Sequence, residues 1–285
     1  MGKEVDKLVA QLREENSLKV WSLIITFFGD AVVARGGNVS AKTVQAVLSG
    51  MHIGSGAVRT AFSRLVSDQW IVRKKIGRES FYELADNGYR PFKAATARIY
   101  SAHSAVEPES NHWTLAINDS RVKVADFNLP EGGVLVGANC WLFQNLECSA
   151  LDSLANHEFL TLSGELSRLP GWLTDKIGSD DFSKEYALLQ KRFAAVEQVT
   201  KLDLLDNLIV RCLLIHQWRR LLLRSPVVPD ALRLPEQECR QFVAGLYSRL
   251  LPGSEAWLDE YATCANGKIP GAATDIKHRF TDKFV

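Results

Sequence analysis

The chain has 285 residues, 46% of them hydrophobic and 24% charged, with 19 glycines and 9 prolines. That is long enough for two or three domains with real cores, and the composition excludes a disordered, collagenous or low-complexity polypeptide. The formal net charge of +1 hides an asymmetry: residues 1–100 carry 15 Lys+Arg against 9 Asp+Glu, a balance of +6, whereas residues 101–285 carry 19 against 24, a balance of −5.

A basic front end on an acidic body is the pattern expected when one domain meets a polyanion and the remainder does something else. The most apolar run, Trp21–Phe28, is broken by Ser22 and Thr26. It falls well short of the roughly 18–20 residues of a membrane helix. The opening MGKEVDKLVAQLREEN is charged and has no apolar signal core, so no membrane association and a cytoplasmic protein are expected. The cysteines Cys140, Cys148, Cys212, Cys239 and Cys264 form no CxxC and stand at no finger-like spacing from histidine. Neither a disulfide framework nor a zinc site is suggested, and the thiols read as reduced and mostly buried.

In chain order, 17–28 is too densely apolar for a surface helix and predicts one buried under others, its end bracketed by Gly29-Asp30 and Gly36-Gly37. A second helix starts at Ser40, a good N-cap, with Val44, Val47, Leu48 and Met51 inward; Gly50 and Gly54 mark its end and the turn beyond it. A third runs from about Ser55 to Asp68 with Val58, Ala61, Phe62 and Leu65 inward. Its outer face then carries Thr60, Ser63 and Ser67, flanked by Arg59 and Arg64. Trp70–Lys75 and Ser80–Leu84 read as two short strands joined by a turn of Ile76, Gly77, Arg78 and Glu79.

Helix, turn, helix, basic hairpin is the order of a winged helix-turn-helix, in which the second helix presents side chains to base edges in the major groove and the hairpin meets the backbone. The candidate set for double-stranded DNA is Arg59, Thr60, Ser63, Arg64 and Ser67 from the helix, and Lys74, Lys75, Arg78, Ser80 and Tyr82 from the hairpin. Lys74, Lys75 and Arg78 would neutralise phosphates and make affinity salt-dependent. Taken singly, each of these charges also fits a solvated face on a helical domain.

From Asp86 a further helix leads out of the hairpin. Strand-like runs come after it at 113–117, 121–125 and 134–143, with a turn at 130–133, and helical periodicity dominates beyond Trp172, notably at 201–224 and 235–251. The expected division is 1–92, a winged helix-turn-helix; 93–172, a small α+β domain; and 173–285, a helical domain.

Several segments resemble the PaaX family of bacterial transcriptional repressors: SLIITFFGD at 22–30, the pair Gly36-Gly37, AVRTAFSRLVSDQW at 57–70, the hairpin 77–84 followed by Gly88, and Arg98-Ile99-Tyr100. The VRTAFSRL core at 58–65 and the G-R-x-S-x-Y-x-L hairpin are specific in combination. The resemblance is close over about the first 100 residues and looser beyond. It implies an α+β multidomain fold with an N-terminal winged helix, a ferredoxin-like central domain resembling small CRISPR-associated nucleases, and a helical C-terminal domain.

It also implies a repressor, not an enzyme, released from its operator by an aryl-acyl-CoA effector such as phenylacetyl-CoA. Such a ligand needs aromatics and cations. Trp172 and Trp218 with Arg219, Arg220 and Arg224 are the candidates, among further aromatics at Phe182, Tyr186, Phe193, Trp257 and Tyr261. The same aromatics at helical spacing fit a core, and the same arginines fit a helix C-terminus. A homodimer on a palindromic operator is expected, because one recognition helix reads too few base pairs to discriminate. The alternative is a metal-dependent nuclease built on the central domain, for which Asp119 and Asp126 are the only candidate ligands; no catalytic motif joins them.

Overall fold

The structure, a computed structural model, describes residues 2–15, 18–85, 95–102, 112–119, 133–144, 146, 148–165, 170–173, 180–224 and 234–281. Its contacts form two compact units, one of Met1–His103, Leu188–Arg220 and Cys239–Val285, the other of Ser104–Ala187 and Leu221–Glu238. These do not follow the three consecutive segments 1–92, 93–172 and 173–285. Periodicity tells which face of a helix is apolar but not which partner covers it, and here stretches of the C-terminal helices group with the N-terminal elements.

In the first unit, α1 (Lys3–Glu14) buries Val5, Leu8, Val9 and Leu12 on one face, an amphipathic helix not anticipated from its charged composition. In α2 (Val20–Phe27), residues 22–27 are all buried, as its apolar density implies. The helix does not stop at Gly29-Asp30. It continues as a π-helical turn, Phe28–Val32, and a 3-10 turn, Val33–Arg35, before Gly36 ends it at φ +89°. A Gly-Asp pair normally disfavours helix; here tertiary hydrogen bonds to Asp30 override that preference.

Those bonds are dense. The Asp30 carboxylate, 2% exposed, accepts from Arg211 Nε at 2.6 Å, Arg279 Nη1 at 2.8 Å, Tyr100 Oη at 2.7 Å and Tyr247 Oη at 3.0 Å. Its carbonyl accepts from Arg279 at 2.6 Å and Arg211 at 3.0 Å. Glu255 extends the network to Arg211 at 2.5 Å and Arg35 at 2.6 Å, and Arg35 also pairs with Asp259 at 2.7 Å. Burial pushes the Tyr247 hydroxyl up to about 12, so it stays protonated and donates to Asp30.

Beyond Gly37, strand β1 (Asn38–Ser40) leads into α3 (Ala41–Ser49), whose cap Ser40 accepts from the Thr43 N–H at 3.1 Å. Next come α4 (Ser55–Ser67), β2 (Ile71–Ile76) and β3 (Glu79–Leu84). The three strands make an antiparallel sheet in the order β1-β3-β2. Residues 95–100 are helical, whereas the helix start expected at Asp86 lies outside the described residues.

Further on in the chain, α6 (Asp180–Glu197), α7 (Leu204–Arg224) and α8 (Leu234–Tyr261) supply the helical mass. Helical periodicity marks 235–251, and α8 contains Pro252 in its interior. It runs on to Tyr261, because Glu255 is tied into the Asp30 network and Trp257 and Leu258 are buried. A two-stranded turn, β8 (Thr263–Cys264) and β9 (Gly267–Lys268), then docks on α3: the Thr263 N–H donates to Thr43 Oγ1 at 3.0 Å and its hydroxyl to Ser40 Oγ at 2.7 Å.

The second unit holds β4 (His112–Ile117), the hairpin β5 (Val134–Gly137) and β6 (Cys140–Gln144), α5 (Cys148–Asn156) and β7 (Leu160–Glu165). Its sheet is antiparallel, in the order β5-β6-β4-β7. Trp141 and Phe143 pack with Leu154 and Phe159 on one face, and Trp113 with Leu142 and Leu173 on the other. The strand expected at 121–125 and the turn residues 130–132 lie outside the described residues. Cys140, Cys212, Cys239 and Cys264 are free thiols, and burial pushes Cys212 up to about 12, which leaves it unreactive near neutral pH.

Asp30→Ala would strand two buried guanidinium groups and should cost about 3–5 kcal/mol in urea denaturation. The Tyr247 phenol ionises near 10 in the unfolded chain and near 12 in the native one, so between those values the native state holds a proton that the unfolded state has lost. Stability should therefore fall as pH rises from 10 toward 12. Measured over that range, Tyr247→Phe should lose less stability than the unsubstituted protein.

Candidate nucleic-acid interface

The outward face of α4 is built as its spacing implies. Val58, Ala61, Phe62 and Leu65 are buried, and Arg59, Thr60, Ser63, Arg64 and Ser67 are all exposed. Two of the five are engaged locally: the Thr60 hydroxyl donates to the Gly56 carbonyl at 3.1 Å, and Arg64 pairs with Asp68 at 3.4 Å while lying 5.7 Å from the centre of the Trp21 ring. Arg59 makes no hydrogen bond or ion pair among the described residues.

The turn between α3 and α4 is held from α1. His52, at φ +56°, has its carbonyl bonded by Arg13 at 2.7 Å and its ring Nε2 within 3.0 Å of Asp6. A left-handed conformation at a non-glycine residue is unfavourable, and these contacts hold it in place.

The hairpin turns at Gly77, φ +59°, a conformation that glycine adopts without strain. Lys74, Lys75 and Arg78 are exposed, and none of the three makes an ion pair among the described residues. Ser80 is half-buried and accepts from Arg73, through Nε at 3.1 Å and Nη2 at 2.8 Å. Tyr82 is only 7% exposed, with its ring stacked on Phe62 of α4 at 3.9 Å between centroids and 3° between planes. Its ring forms part of the floor of the groove between α3, α4 and the hairpin. Burial raises its phenol above the ordinary range, against an opposing pull from Arg73.

Between α3, α4 and the hairpin lies a groove of about 670 Å³, with Lys42, Gln45, Arg59, Ser63, Arg73 and Ser80 along its walls. Lys42 also forms an ion pair with Glu79. Lys42 and Arg73 were absent from the expected set. Strand alternation was the available signal for Arg73; Lys42 had none, since only the fold brings the start of α3 beside the hairpin.

Of the expected effector residues, Trp218, Arg219 and Arg220 belong to the first unit and Trp172 and Arg224 to the second. Trp218 is fully buried, donates its indole N–H to the Ile99 carbonyl at 3.0 Å and lies 5.0 Å from the Arg240 guanidinium, so it is a core residue. Arg219 is spent on α2, bonding Thr26 Oγ1 at 2.9 Å and Ser22 Oγ at 2.6 Å, with its pKa lowered by burial. Both corrections have one physical reason: α7 packs inside the first unit, where its indole and guanidinium satisfy backbone and hydroxyl groups of neighbouring elements. Arg220 is half-buried. In the second unit Trp172 is exposed and Arg224 pairs with Glu185 at 2.6 Å. Of the two metal candidates, Asp126 lies outside the described residues, and no group of three or more His, Cys, Asp or Glu placed to hold a metal occurs among the described ones.

Residues 19–88 match the family model described as "PaaX-like protein" and residues 178–260 match "PaaX-like protein C-terminal domain", together more than half of the 285 residues. The chain belongs to the PaaX family. The first PaaX match runs from the start of α2 past the end of the hairpin, so it contains the whole candidate interface. The chain is 26% identical to the Transcriptional repressor PaaX of Escherichia coli (strain K12), over 91% of this chain and 89% of that protein. Among solved structures it is similar to the uncharacterized protein Rv0674 from Mycobacterium tuberculosis, with 15% identity, a TM-score of 0.48, and coverage of 76% of this chain and 91% of that one.

The Tyr82 hydroxyl has no hydrogen-bond partner among the described residues, so Tyr82→Phe should leave both thermal unfolding and DNA retention nearly unchanged. Tyr82→Ala removes the ring from the stack and should cost about 3 kcal/mol or more in urea denaturation.

Proposed function

We propose that the chain is a DNA-binding transcriptional regulator, a repressor like its Escherichia coli relative, and that residues 1–92 contain a winged helix-turn-helix. In this reading α4 lies in the major groove with Thr60, Ser63, Arg64 and Ser67 toward base edges, while Arg59, on the groove beside the hairpin, and the hairpin's Lys75 and Arg78 meet the sugar-phosphate backbone. One observation carries it: α4 keeps its short hydroxyl residues and flanking arginines exposed, beside an exposed cationic hairpin, while Val58, Ala61, Phe62 and Leu65 are buried.

The second unit supports a ferredoxin-like reading, since its strands taken from β7 run β7-β4-β6-β5 and every neighbour is antiparallel. A two-fold dimer then places two α4 helices on a palindromic operator, which multiplies discrimination. Release by an aryl-acyl-CoA effector is the regulation that the family resemblance supports. Trp218 and Arg219 have no part in that contact, being committed to the fold.

Arg64→Ala should abolish sequence-specific retention in a gel shift against promoter DNA and Arg59→Ala should weaken retention, both while leaving thermal unfolding nearly unchanged. If both variants are retained like the unsubstituted protein, α4 is not the reading helix. Arg78→Ala should weaken binding to all sequences alike and reduce the salt slope by about one.

A further inference from the structure

Directly opposed residues of an antiparallel pair share a face of the sheet, and successive residues alternate between faces. Arg73 lies opposite Tyr82 and Lys75 opposite Ser80. Because the Tyr82 ring stacks on Phe62 of α4, this is the face turned toward α4. Lys74 lies opposite Phe81, on the other face. Three adjacent cations that look equivalent in the sequence are thereby separated, with Arg73 lining the groove and Lys74 turned away from α4.

We propose that Arg73 and Arg59 form a clamp for a phosphodiester of duplex DNA in the groove between α3, α4 and the hairpin, and that Lys74 takes no part. The proposal rests on the DNA-binding reading above and names the group that the groove receives. Among the described residues the groove is lined by Arg59, Arg73 and Lys42 together with serine hydroxyls, and no carboxylate lines it. Ser80 holds Arg73 through Nε and Nη2, which fixes the plane of the guanidinium and leaves Nη1 without a partner among the described residues. A planar guanidinium fixed in this way, with donors still open, suits a phosphate oxygen.

Arg59 approaches from the opposite wall with its own donors unused among the described residues. Arg59 and Ser63 belong both to the groove and to the outward face of α4, so a duplex seated on that face lays one strand across the groove. That continuity is why the anion is assigned to DNA.

The test uses the full chain and a mixed-sequence duplex of about 30 base pairs, long enough for two half-sites, titrated at several salt concentrations. Arg73→Ala should bind about tenfold more weakly with a salt slope reduced by about one per protomer, while Lys74→Ala, which removes the same charge one residue away, should stay within about twofold of the unsubstituted protein. Arg73→Lys, which keeps the charge, should restore the slope, and that separates lost charge from a damaged fold. Equal losses for Arg73→Ala and Lys74→Ala, or no loss for Arg73→Ala, would overturn the clamp while leaving the DNA reading intact. If the unsubstituted protein binds no duplex at any salt concentration, the DNA reading fails and the clamp with it.

Discussion

The buried carboxylate of Asp30 is the interaction on which the first unit depends. A buried charge is tolerated only when it is paired and hydrogen-bonded, and this one collects donors from Tyr100, Arg211, Tyr247 and Arg279, far apart in sequence. Loss of either arginine would leave the carboxylate with a single ion-pair partner among the described residues. The π-helical turn at Phe28–Val32 is the local cost of bringing the carboxylate to them. The first 100 residues are therefore not a freestanding module, since the helix that opens their core is completed by α7, α8 and the C-terminal turn.

The same dependence reaches the candidate interface. Ser40, which caps α3, also receives the Thr263 hydroxyl, and Asn38 of β1 accepts from the Ala265 N–H at 2.9 Å. At the other end of α3, a side chain at Gly50 would collide with Ile209 of α7, and the turn beyond it is held by Asp6 and Arg13 of α1. Both ends of α3 are thus gripped by elements distant in sequence. The relative placement of α3 and α4 is set by those contacts as much as by the turn between them.

On the surface itself, charge alone is a poor guide to role. Arg64 shares itself between Asp68 and Trp21, Lys42 is paired with Glu79, and Arg219 is consumed in holding α2. Arg59, Lys75 and Arg78 keep their donors open among the described residues. An exposed pair in water contributes little to stability, so Lys42 and Arg64 could exchange their partners for a phosphate at small cost; a guanidinium bonded to interior hydroxyls could not.

Local patterning was enough for α3, α4 and the hairpin. A Ser cap, apolar residues at helical spacing and a glycine turn between β-formers are decided by near neighbours, so their bounds and the exposed face of α4 were legible from the residues. Wherever a distant partner decides, the residues were silent or misleading. The end of the first buried helix is bracketed only between Gly29-Asp30 and Gly36-Gly37, and periodicity reads only to Leu251; helix runs on to Arg35 and to Tyr261 because Asp30 and Glu255 are bound by distant arginines. Trp218 and Arg219 read as ligand contacts, yet they are bonded to the backbone and the hydroxyls that the fold sets beside them. Sequence by itself determined the elements and their apolar faces, which depend on spacing within one segment. Tertiary structure alone decided which polar groups remain open to a partner, because that depends on what the rest of the chain brings within hydrogen-bond reach.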